Sequence, residues 1–150
     1  MQDLKEFGIE TVTFLDIENE TIESLQAADV IYLNGGNPFV LLYFLRKSGA
    51  DRLIQKRAKE DCAVVGVSAG AVVLGSSIQI VEWFSPELNT IKLENLTGCQ
   101  LYNFSIFPHA DRADLFPHND TIETRILAFE KASDERVIRL ADDEFQLLTI

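Results

Sequence analysis

Residues Gly66-Val67-Ser68-Ala69-Gly70 fit the pattern G-x-S-x-G. Between a strand and a helix, this pattern builds a sharp turn that lifts a serine hydroxyl clear of the sheet. The flanking positions must be small for the turn to close, and Gly66, Ala69, Gly70 and Ala71 all are. A serine there serves as a nucleophile, with the helix N-terminus favouring developing negative charge. The same residue could instead simply cap the helix. A serine nucleophile needs a base, and histidine suits neutral pH. The chain has two, His109 and His118. His109 follows an apolar run and a proline; His118 lies in the polar stretch Phe116-Pro-His-Asn-Asp120 and reads as a loop residue. A carboxylate must orient the imidazole; Glu82, Glu87 and Asp111 are the candidates. Gly35-Gly36 offers unobstructed backbone N–H groups that, with the Ala69 N–H, could form an oxyanion hole.

The elements that must position these groups alternate along the chain. Thr11–Ile17 reads as a strand and Glu20–Gln26 as a short acidic helix. Val30–Leu33 and Ala63–Val67 are undiluted apolar runs, the pattern of strands buried on both faces. Asn37 is an N-cap with Pro38 at the first helical position, and a helix follows over Phe39–Lys47 until Gly49 ends it. Ala50–Glu60 is a second helix. Ile78–Val81 alternates as an edge strand would, and Phe104–Phe107 is a further strand. Asp120 caps a helix to Lys131, and Arg136–Leu140 pairs with Phe145–Ile150 as a hairpin around Asp142-Asp143. Strand–helix alternation with apolar strands predicts an α/β fold, a mostly parallel sheet flanked by helices in three layers. In such sheets ligands bind beyond the C-terminal strand ends. Gly35-Gly36-Asn37, Ser68 and His109 all fall there, and that convergence carries more weight than any one of them.

Composition narrows the classes. The chain has 150 residues, 47% of them hydrophobic, which suits one domain with a real core. Its 13 Lys+Arg against 24 Asp+Glu give a net charge of −11, adverse to nucleic acid and to anionic membrane surfaces. The bases concentrate in residues 31–60, where Arg46, Lys47, Arg52, Lys56, Arg57 and Lys59 read as a solvated helix face. No apolar run is long enough to span a membrane. Two cysteines, Cys62 and Cys99, are too few for a disulfide scaffold and suggest a reducing cytoplasm. The cysteines and histidines show no metal-ligand spacing, and neither Gly-Gly pattern matches a nucleotide-binding loop.

Three segments together, Leu33-Asn-Gly-Gly-Asn-Pro-Phe39, Gly66-Val-Ser-Ala-Gly-Ala71 and Phe107-Pro-His109, resemble the dipeptidase E and cyanophycinase family of serine peptidases, in order and in spacing. The resemblance runs across nearly the whole chain. It implies a fold like that of class I glutamine amidotransferases, with serine in place of their cysteine. It implies a cofactor-free Ser–His–acid triad that cleaves small peptides. Ser68 is then the nucleophile, His109 the base, Glu82 the acid with Glu87 as alternative, and Gly36 and Ala69 the oxyanion donors. Gly35 and Asn37 would line the substrate site.

The chain departs from that family twice. Members specific for an N-terminal aspartate carry an arginine in the helix after the histidine, where this chain has Ile122; Arg112 or Arg125 would substitute. The family also begins with additional strands, one central to the sheet, whereas Met1 here falls within the helix before a later strand. Residues 1–150 therefore read as one α/β peptidase-like domain without those strands. Its open edge would pair internally or with a second copy as a homodimer. The two competing readings are a non-catalytic member acting as a structural or interaction protein, and an amidase or esterase using the same serine.

Overall fold

The computed structural model describes residues 8–149. The expected helix around Met1 lies outside the described residues. Strand β1 (Val30–Leu33) leads through Asn34–Asn37 into helix α1 (Pro38–Ser48). The Asn37 side chain accepts from the backbone N–H of Phe39 and Val40 at 2.9 and 3.3 Å, satisfying two donors that a helix start leaves free. Gly49, left-handed at φ 79°, ends α1 and opens α2 (Ala50–Ala58). Strand β2 (Ala63–Gly66) then pairs with β1 in parallel, Val30 opposite Ala63 and Leu33 opposite Gly66. Helix α3 (Ala69–Leu74) follows Ser68 directly. After α4 (Gln79–Phe84) and a long coil come β3 (Ser105–Phe107), α5 (Ile122–Ser133) and β4 (Val137–Arg139). Strands β3 and β4 form a second parallel pair, Phe107 opposite Arg139. The architecture is α/β with parallel strands, as the alternation predicts.

Two cores support the two strand pairs. Under β1 and β2, Ile31 and Leu33 pack with Phe39, Leu42, Leu45, Ile54, Val72 and Val73, all buried. Under β3 and β4, Phe107 joins Ile80, Phe84, Ile126, Phe129 and Val137. The Phe84, Phe107 and Phe116 rings lie 4.4 to 5.6 Å apart in tilted or edge-on contact. That cluster fixes the end of β3, two residues before His109.

Several expectations are corrected. Thr11–Ile17 forms no strand: Val12 and Phe14 are 44% and 80% exposed, and among the described residues no strand lies beside them to supply a ladder. β1 is buried on one face only and β2 half-buried on one, because no helix among the described residues covers Val30, Tyr32 and Val65 on the other. Ile78–Val81 is not an edge strand; Ser77 Oγ accepts from the Gln79 N–H at 2.9 Å at the start of α4. Ile80 and Phe84, four residues apart, are buried on one face of that helix. The cap of α5 is Thr121, not Asp120, its Oγ1 accepting from the Thr124 N–H at 3.1 Å. The terminal hairpin does not form. Arg136–Leu140 supplies β4, parallel to β3, and residues 145–149 carry no strand.

Candidate active site

The parallel register decides what meets. Leu33 and Gly66 end β1 and β2 at the same level, so the Gly35-Gly36 loop and Ser68 emerge side by side. A side chain at Gly35 would come within 3.4 Å of Ser68 Cβ. The crossing of β2 into α3 is tight: a Cβ on Gly66 would stand 2.6 Å from the Gly70 carbonyl oxygen, and one on Gly70 would overlap the Leu33 carbonyl. Ser68 itself takes φ 52° and ψ −115°, outside the regions that residues with side chains prefer. Such conformations cost about 1–3 kcal/mol and persist where the surroundings enforce them. His109 is likewise at φ 59°.

Ser68 lies at the N-cap position of α3, yet its side chain makes no capping bond. Its Oγ stands instead 2.9 Å from His109 Nε2. The other ring nitrogen, Nδ1, is 2.5 Å from Asp142 Oδ1. The His109 hydrogen bond, with that of Arg112 second, holds the Asp142 carboxyl below the ordinary carboxylate range. An ionised carboxylate only accepts, so Nδ1 carries the proton and Nε2 of the neutral ring is left to accept from the Ser68 hydroxyl. Among the described residues, the backbone N–H groups of Gly36 and Ala69 donate to no protein acceptor. The Ala69 N–H follows the serine directly, and the Gly36 N–H lies on the loop that emerges beside it. The cysteines are poor nucleophiles here: both are buried, and burial pushes the Cys99 thiol up to about 12.

Residues 2–148 match the model of peptidase family S51. The chain belongs to peptidase family S51. An uncharacterized peptidase of Listeria monocytogenes is 34% identical over 99 residues, covering 63% of this chain and 48% of the relative. An uncharacterized peptidase of Listeria innocua is 28% identical over 148 residues, 94% of this chain and 70% of the relative. Peptidase E of Shewanella sp. strain W3-18-1 is 30% identical over 110 residues, 73% and 45% of the two chains. The chain therefore spans about half the length of the first and third of these relatives. Among solved structures, that of a candidate peptidase E protein from Listeria monocytogenes EGD-e matches with a TM-score of 0.70 and 27% identity, over 94% of this chain and 67% of that one.

Within this S51 chain, the carboxylate on His109 is not one of those expected. Glu82 lies on α4 and accepts from Asn89 Nδ2 at 3.2 Å. Glu87 is exposed on the short turn Pro86–Leu88. Asp111 accepts from the Asp142 backbone N–H at 3.0 Å, so it braces the Asp142 turn; the carboxylate at the His109 ring is that of Asp142. Asp142 reaches His109 because β4 runs parallel to β3: Leu140 accepts from the Ala110 N–H at 3.0 Å and donates to Phe107 O at the same distance. The strand-end rule that singles out Ser68 and His109 selects Asp142 as well, once Arg136–Leu140 is taken as a parallel strand rather than half of a hairpin.

The residues expected to meet substrate divide. Gly35 lies at the serine, and Gly36 follows it in the same loop. Asn37 is engaged twice, capping α1 and donating through Nδ2 to Leu88 O at 2.7 Å. Arg125 stacks on the Phe84 ring at 3.9 Å and donates to the Phe84 carbonyl at 3.3 Å, so it braces the aromatic core. Arg112 donates to Asp114 and Asp142. His118 stays in its loop, accepting from the Asp120 N–H at 2.9 Å. Among the described residues, no group of three or more His, Cys, Asp or Glu side chains is arranged to hold a metal ion. No helix among them is long and apolar enough to cross a membrane.

Proposed function

We propose that this chain is a serine peptidase acting on small peptides through Ser68, His109 and Asp142. The observation that carries the reading is the unbroken line Ser68 Oγ, His109 Nε2, His109 Nδ1, Asp142 Oδ1, at 2.9 and 2.5 Å. His109 takes the hydroxyl proton as Ser68 Oγ attacks the scissile carbonyl carbon. The carbonyl oxygen becomes anionic and receives the N–H groups of Gly36 and Ala69. As the C–N bond breaks, His109 returns the proton to the leaving amine, and an acyl-enzyme remains. Water, losing a proton to Nε2, then attacks the ester. The acid product leaves and Ser68 regains its proton. Asp142 keeps Nδ1 protonated and balances the imidazolium that forms. Membership of family S51 and the likeness to peptidase E relatives support peptide substrates. The match to a solved peptidase E-type chain supports a single domain of the class I glutamine amidotransferase kind.

Intact-mass labelling with a fluorophosphonate probe tests the reading. Wild type gains one adduct, and Ser68→Ala gains none. His109→Ala labels roughly a thousandfold more slowly. Absence of an adduct on folded wild type would sink the catalytic reading in favour of a non-catalytic family member.

A further inference from the structure

Asp142 poses a positioning problem. It sits on a turn beyond β4 with its side chain 37% exposed, and it pairs with a histidine that is 32% exposed. An exposed ion pair of that kind is worth little by itself and leaves the carboxylate free to rotate away into water. The second oxygen of Asp142 supplies the constraint. Oδ2 accepts from Arg112 Nη1 at 2.9 Å while Oδ1 faces His109. Arg112 is tied to the histidine's own turn, its backbone N–H donating to His109 O at 3.0 Å. Its remaining edge is held in turn: Nε and Nη2 donate to the two oxygens of Asp114 at 2.8 and 2.7 Å. A guanidinium is planar, so fixing one edge aims the third nitrogen. Asp114 also balances the Arg112 charge, which would otherwise compete with the imidazolium for Asp142.

We propose that Arg112, oriented by Asp114, is a positioning residue that clamps Asp142 against His109 rather than a residue that binds substrate. This rests on the catalytic reading above. The geometry engages all three guanidinium nitrogens with carboxylates of the chain itself, and the Nε–Nη2 fork that would grip a substrate carboxylate is already closed on Asp114.

A fluorophosphonate carries no acidic side chain for an arginine to recognise, so its labelling rate separates the two roles. Arg112→Ala slows labelling of wild type about tenfold or more. In the Asp142→Asn background the same substitution adds nothing, because Arg112 acts only through Asp142. Arg112→Lys, which keeps the charge without the planar fork, recovers part of the rate. The far-downfield proton NMR signal of His109 Nδ1–H weakens or vanishes in Arg112→Ala, a readout that needs no turnover. Labelling of Arg112→Ala at the wild-type rate while Asp142→Asn is slow would overturn the clamp and leave the triad standing. So would an equal loss on top of Asp142→Asn. Unchanged labelling in Asp142→Asn, with Ser68→Ala silent, would overturn Asp142 as the acid and the clamp with it. If wild type fails to label, an Nδ1 signal unchanged in Arg112→Ala overturns the clamp and its loss upholds it.

Discussion

The β1–β2 end of the site and the β3–β4 end are held by different forces. At the first, backbone approaches backbone: Gly70 lies against the Leu33 carbonyl, Gly66 against the Gly70 carbonyl, and Ser68 is turned to φ 52° by the closure. No charged side chain takes part. At the second, the carboxylate arrives on an exposed turn and is held by side-chain bonds among His109, Arg112, Asp114 and the Asp111 acceptor. Sterics fix Ser68, whereas charge-assisted hydrogen bonds fix Asp142. The first kind of restraint fails by unfolding, and the second fails by losing activity while the fold persists.

The sharpest way to break that contrast is Gly70→Ala. Its Cβ would overlap the Leu33 carbonyl, and backbone on both sides leaves nothing soft to yield. The expected loss is about 3 kcal/mol of stability or more, read as a lower denaturant midpoint, with labelling lost in parallel. Near-wild-type stability would mean that the β2–α3 crossing is looser than the close approach implies.

Asp142→Asn should do the reverse. The amide keeps the shape but cannot hold the Nδ1 proton in place as an anion does, so labelling falls at least about a hundredfold. The denaturant midpoint stays close to wild type, because the side chain is part-exposed. A variant that unfolds instead would show that the ion cluster supports the second strand pair and is not confined to the site.

The same contrast explains what the residues disclose on reading. A restraint made by backbone approach demands small residue types at fixed spacing, so Gly66, Ser68, Ala69 and Gly70 announce the turn. Asn37 and Pro38 announce the start of α1 for the same local reason. A carboxylate delivered by a distant strand leaves no such trace. Asp142 lies 33 residues from His109, in a chain crowded with acids, and the Asp142-Asp143 pair looks like the tip of a hairpin. Choosing between an antiparallel hairpin and a parallel partner for β3 needs knowledge of what stands next to the strand, which periodicity does not carry. Ile78–Val81 fails for a related reason. Its apolar residues suit either period over four positions, and only Phe84, one turn beyond Ile80, marks the helix.

Ser68→Gly sharpens the steric side from the other direction. Glycine accepts φ 52° with ψ −115° at little cost, whereas serine is strained there. The variant should be more stable than wild type by about 1 kcal/mol, despite losing its hydrogen bond to His109, and should not label at all. A lower denaturant midpoint would mean that the Ser68–His109 bond outweighs the strain, and that the two strand pairs are tied together through the site itself.

The smallest effect expected concerns acid. Asp142 is held below the ordinary carboxylate range by hydrogen bonds from His109 and Arg112, Asp114 by Arg112, and Glu130 by Arg139. A depressed carboxyl stays ionised in the folded chain where the unfolded chain already binds protons, below about pH 4. Its contribution is therefore complete above that pH and is lost as pH falls through the lower, folded value. Arg112→Gln should remove the part due to Asp114 and part of that due to Asp142, and Arg139→Gln the part due to Glu130. Both variants should lie slightly below wild type near neutral pH and converge on it at roughly pH 2. The steric side predicts no such convergence: Gly70→Ala loses the same stability at either pH, because its clash involves no titrating group. Parallel acid profiles for Arg112→Gln and wild type would show that the cluster directs His109 without stabilising the fold, which would confine its role to the chemistry.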